Sequence, residues 1–115
     1  MRPYRFVFTH WFKRTLRRLG KRNPHIRADF EAFIHHFDAE AHPVIPGTGG
    51  ARKARMKVTG RGKSGGYRVI YYLFSQDTVW FITVYDKVQT EDLSPAEKAR
   101  VIELVQEIKR QVLDE

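Results

Sequence analysis

Apolar positions along this chain change period several times, and each change marks an element. The run YRFVF at residues 4–8 is aromatic and β-branched and predicts a short strand. From Thr9, a plausible N-cap, the spacing turns helical: Phe12, Leu16 and Leu19 recur at i, i+4 and i+7, and Gly20 is the expected left-handed residue past the end. Lys13, Arg14, Arg17 and Arg18 fill the other face, ordinarily a solvated one, with a patch facing RNA or a partner protein as the functional alternative. Asn23-Pro24 opens a second helix, Asn as cap and Pro at the first helical position. Ile26, Phe30, Phe33, Ile34 and Phe37 carry its apolar stripe and predict a helix to about Ala41, antiparallel to the first.

His42-Pro43 ends that pattern, and residues 44–50 are a Pro/Gly turn region. Residues 52–58 alternate, with Arg52, Ala54, Met56 and Val58 on one face and Lys53, Arg55 and Lys57 on the other. A glycine-rich hairpin loop over 59–66 leads into YRVIYYLF, a strand apolar on both faces except for Arg68. A turn at 75–77 precedes another strand over 78–85, so the three strands read as an antiparallel meander. Ser94-Pro95-Ala96-Glu97 is a capping box, and Val101, Leu104, Val105, Ile108 and Val112 line one face of the helix it opens. The order predicts one α+β domain over residues 1–115: two N-terminal helices and a C-terminal helix on one side of a twisted antiparallel sheet of about four strands.

Composition adds a strong bias of charge. The formal net charge is +8 over 115 residues. Residues 2–27 hold nine cations and no acid, whereas residues 77–115 hold five cations and nine acids. Between Arg52 and Arg68 lie seven cations (Arg52, Lys53, Arg55, Lys57, Arg61, Lys63, Arg68) and no acid. Strand formers interrupt this block, so it predicts a cationic surface on a rigid sheet, suited to a polyanion. There is no cysteine, hence no disulfide framework and no thiolate metal site. No apolar stretch is long enough to span a membrane and no leader is evident, so a cytoplasmic protein is expected.

Several motifs fail on context. Gly62-Lys63-Ser64 has Lys57 where a P-loop needs its first glycine, and it feeds a strand rather than a helix. Gly60, Gly62 and Gly65 match a dinucleotide fingerprint as a string but lack the βαβ setting. His10, His25, His35, His36 and His42 show no metal spacing, so neither metal nor cofactor is expected. Arg68 stands out, because a lone charge in an apolar strand is costly unless its guanidinium meets an anion. A structural ion pair with Asp86 or Glu103 would be the alternative.

The segments GKSGGYRVIYY and KVQTEDLSPAEK, within residues 44–112, resemble the HigB branch of the RelE/ParE superfamily, the toxins of bacterial type II toxin–antitoxin modules. The resemblance implies a small basic α+β toxin that cleaves mRNA on translating ribosomes and is neutralised by a cognate antitoxin, of helix-turn-helix type. In that chemistry the RNA 2′-hydroxyl attacks its own phosphate without a metal, and the protein supplies orientation, charge stabilisation and proton transfer. By the resemblance Arg68, Lys53, Arg55 and Lys87 are the catalytic candidates, and Lys57, Arg61 and Lys63 bind RNA. Lys87 matches the lysine of the family's Y-x-K motif, although Val88 replaces the asparagine that usually follows it. For proton transfer the candidates are Tyr85, Asp86, Lys53 and Lys87. The same fold also hosts gyrase poisons of the ParE type, and a non-catalytic nucleic-acid-binding remnant is the third reading.

Overall fold

The computed structural model describes residues 3–62 and 65–113, with the side chains of Val112 and Leu113 left aside. Lys63 and the Val112 side chain therefore lie outside what is described. The elements run β1 (Arg5–Phe8), α1 (His10–Gly20), α2 (Ile26–His35), β2 (Ala51–Met56), β3 (Tyr67–Phe74), β4 (Thr78–Asp86) and α3 (Pro95–Leu113). The sheet order is β1-β4-β3-β2. The meander β2-β3-β4 is antiparallel as its alternation predicts, but β1 pairs with β4 in parallel, so the sheet is mixed. The long crossover through both helices, β2 and β3 permits this parallel return.

The helices occupy both faces, which corrects the one-sided arrangement expected. Tyr67, Val69 and Tyr71 of β3 join Phe12, Leu19 and Phe81 in a core covered by α1 and α2. Ile70 and Tyr72, on the opposite face, pack with Val101, Leu104 and Val105 of α3. A strand apolar on both faces is what a sheet covered on both sides requires, and YRVIYYLF is such a strand.

Thr9 caps α1 as its position predicts: its side chain accepts the Phe12 N–H at 3.0 Å. Its hydroxyl also donates to the Ile82 carbonyl at 2.7 Å. Ile82 is the extra residue of a bulge in β4, where Ile70 pairs with Thr83 and Tyr71 with Phe81. One threonine thus starts a helix and takes up a carbonyl freed by the bulge. Gly20 is the last residue of α1 and not a left-handed cap, since Lys21 follows in right-handed helical conformation. A Cβ on Gly20 would stand 3.3 Å from the Ile26 side chain, so glycine lets α1 and α2 approach.

The second helix is shorter than its stripe predicts, ending at His35 rather than near Ala41. Tertiary contacts supply the reason. Phe37 turns into the aromatic core against Phe33, Tyr71 and Phe81. The Ala39 N–H then donates to the Tyr4 hydroxyl at 3.1 Å, and the Tyr71 hydroxyl donates to the Ala39 carbonyl at 2.6 Å. Asn23 is displaced too: the helix begins at Ile26, and Asn23 instead accepts the His25 N–H at 3.0 Å.

Candidate functional site: a basic row on the sheet

Three strands place one side chain each in a row. Arg55 of β2 is in register with Arg68 of β3, and Arg68 with Tyr85 of β4. Residues paired across a ladder share a face, so all three lie on the α3 side of the sheet. Lys53 belongs to the neighbouring row, opposite Ile70. The row lies at the end of the sheet beside the loop that joins β4 to α3. That loop folds back on the chain: Lys87 N donates to the Gly66 carbonyl at 3.2 Å, and Gln89 and Thr90 N both donate to the Asp86 carbonyl.

Arg68 is only 7% exposed. Its one hydrogen bond among the described residues is a long one, 3.4 Å, to the Tyr67 carbonyl. The structural ion pair weighed against a functional role does not form: Asp86 pairs with Arg61 instead, Nη1 to Oδ1 at 2.7 Å. Arg61 also donates to the Gly65 carbonyl at 3.0 Å and lies 5.6 Å above the Tyr67 ring. Two residues expected to serve RNA chemistry, Arg61 as a contact and Asp86 as a proton carrier, are thereby bound to each other as the tie that holds the β2–β3 loop to β4.

Lys87 reaches the same region as the row, its Nζ donating to the Glu91 carbonyl at 2.8 Å. Lys57, beyond the end of β2, borders a separate hollow of about 380 Å³ shared with Asp29, Phe33, His36 and His42, which Arg55 also touches from the strand edge. The structure therefore brings Arg68, Lys53 and Lys87 near Tyr85 and Asp92, whereas Arg55, in register with Arg68, shares the α2-side hollow with Lys57.

One residue at the site escaped the sequence reading. Asp92 Oδ1 accepts the Tyr85 hydroxyl at 3.4 Å and lies 3.8 Å from Lys53 Nζ. The Leu93 N–H, at 2.8 Å, holds the same oxygen. That backbone bond, with Lys53, Tyr85 and Lys87 adding to it, keeps the Asp92 carboxyl below the usual carboxylate range. In sequence Asp92 is one acid among several in QTEDLSPAE, and no periodicity distinguishes it. Tyr85 is pushed up to about 12, first by burial and then by Asp92, with Arg68 opposing. Its hydroxyl keeps its proton at neutral pH and acts as a donor. Among the described residues no group of three or more His, Asp or Glu side chains is placed to hold a metal ion. No described helix is long and apolar enough to cross a membrane.

A structure of the E. coli toxin RelE, a double arginine-to-alanine variant in the free state, is similar at a TM-score of 0.49 and 20% identity, covering 77% of this chain and 88% of that one. Residues 5–113, nearly the whole sequence, match the family described as the RelE toxin of the RelE/RelB toxin–antitoxin system. The chain belongs to the RelE toxin family.

Proposed function

We propose that this toxin is an endoribonuclease that cuts mRNA on the ribosome and so stops translation. The observation that carries this is Arg68, a nearly buried guanidinium with no carboxylate partner among the described residues, flanked in register by Arg55 and Tyr85. Such a group is destabilising in the free protein and becomes favourable when an anion arrives. Its planar fork suits a phosphate, and more so a phosphorane that carries extra charge on its equatorial oxygens.

In the reaction the 2′-oxygen of the RNA attacks the adjacent phosphorus. The O2′–P bond forms, the P–O5′ bond breaks, and the products are a 2′,3′-cyclic phosphate and a free 5′-hydroxyl. Arg68 and Arg55 bear the developing negative charge, and Lys53 holds a neighbouring phosphate. Tyr85, protonated at neutral pH, donates toward the departing O5′. The proton of the 2′-hydroxyl passes to water at the Lys53 and Lys87 edge of the row, since Asp86 is committed to Arg61 and both lysines act as donors there. Messenger RNA held taut in the ribosome would bring the in-line geometry that the row does not impose alone.

An antitoxin carrying an acidic segment would cover this face, drawn by the charge of +8. The decisive experiment is in vitro translation followed by primer extension. Cuts at codon spacing that vanish with Arg68→Ala support the reading. DNA damage with intact mRNA would instead indicate a gyrase poison, and full toxicity of a folded Arg68→Ala protein would remove Arg68 from the site.

A further inference from the structure

Within the basic row one oxygen gathers the available donors. Asp92 Oδ1 takes the Tyr85 hydroxyl at 3.4 Å and stands 3.8 Å from Lys53 Nζ. Both contacts are long for their type, well beyond the short distances of firm charge-assisted bonds. The Asp92 side chain is 69% exposed, on the loop between β4 and α3, and beyond these two donors it is held by the exposed Leu93 N–H at 2.8 Å, a bond that water can replace when it swings out. By contrast Tyr85 is 9% exposed and fixed in β4, and Lys53 is anchored in β2. The donors spring from the sheet and the acceptor from an exposed loop.

We propose that the Asp92 carboxylate marks an anion subsite, formed by Lys53 and Tyr85 beside Arg68, which an RNA phosphate takes over by displacing Asp92. The inference rests on the endoribonuclease reading and adds a subsite and its internal occupant. In the free toxin a carboxylate stands in for the phosphate, satisfies the two donors and lowers the net positive charge of the row. When RNA binds, one phosphate oxygen replaces Oδ1 and the loop releases Asp92 to solvent. Asp92 therefore sets the affinity threshold of the site and is not one of its catalytic residues.

The test is binding of a short 2′-O-methyl RNA oligonucleotide, which cannot be cleaved, followed by fluorescence anisotropy across a salt series. Four proteins are compared: wild type, Asp92→Asn, Lys53→Gln with Asp92→Asn, and Arg68→Ala. Removal of the competing charge in Asp92→Asn tightens binding about threefold, the scale of an exposed ion pair. It also steepens the salt dependence by about 0.7 in log–log slope, as one more phosphate contact does on a single strand. Adding Lys53→Gln abolishes both gains. Unchanged or weaker binding by Asp92→Asn, while Arg68→Ala still weakens it, overturns the subsite and leaves the endoribonuclease reading intact. If Arg68→Ala binds RNA as wild type does, the endoribonuclease site itself is misplaced and the subsite falls with it.

Discussion

Arg55 and Arg68 stand directly opposite each other across the β2–β3 ladder, two like charges in register on one face of the sheet. Paired residues in such a ladder have Cβ atoms about 5 Å apart, and like charges there are destabilising. With Arg68 also nearly buried, the strand pair holds an arrangement that folding alone would disfavour.

Replacing Arg68 with methionine keeps the length of the stem and removes both penalties. Arg68→Met is expected to raise stability by about 1 kcal/mol, a Tm gain of about 4 °C, while cutting RNA cleavage by about 100-fold or more. Thermal denaturation alongside a cleavage assay checks both. A less stable Arg68→Met protein would show that the guanidinium helps to hold the fold.

The Arg61–Asp86 tie predicts the opposite pattern. Asp86 is 5% exposed and accepts from both Arg61 and the Val88 N–H. Arg61→Ala strips a charged donor from this carboxylate and is expected to cost about 2 kcal/mol, a value already reduced for the partial exposure of Arg61. Urea unfolding measures it. The salt slope for RNA binding should stay near that of wild type, because Arg61 is occupied within the fold.

Tyr85→Phe removes the proposed proton donor and should lower cleavage by about 100-fold with little change in fold. The tyrosine also leaves an alkaline signature. Its value of about 12 in the fold exceeds the ordinary 10.0, so the unfolded chain loses this proton first as pH rises. Stability is therefore full below pH 10.0 and declines from there toward pH 12. Tyr71 and Tyr72, also raised by burial, act in the same direction. Tyr85→Phe should make the decline shallower, as denaturant titrations above pH 9 would show.

On the acid side the sensitive group is His42, stacked on Phe37 at 5.9 Å with its edge toward Tyr71. Burial lowers its pKa below 6.5. The unfolded chain then binds this proton first, so stability is complete above pH 6.5 and falls as pH drops below it. His42→Gln should flatten the curve between pH 7 and pH 5, and an unaltered slope would assign the effect to other groups.

Much of the fold was legible because periodicity and caps are local. The Thr9 cap, the capping hydrogen bonds of Ser94 with Glu97 and the antiparallel meander all follow from neighbouring residues. The end of α2 was not legible. Its stripe continues to Phe37, but what stops the helix is Tyr4 and Tyr71 taking the backbone groups of Ala39. Those partners lie more than thirty positions away in the chain. The parallel return of β1 to β4 is non-local in the same way.

The same division holds at the site. That Arg68 is a lone charge in an apolar strand, and that cations crowd the segment before it, are facts of order along the chain. How those cations are used depends on contacts made in folding. Arg61 and Asp86, 25 positions apart, close on each other and tie down the hairpin loop, and Asp92 swings in beside Lys53 and Tyr85. Charge along a chain attracts a polyanion regardless of arrangement, whereas pairing is decided at distances of a few ångströms, which only folding sets.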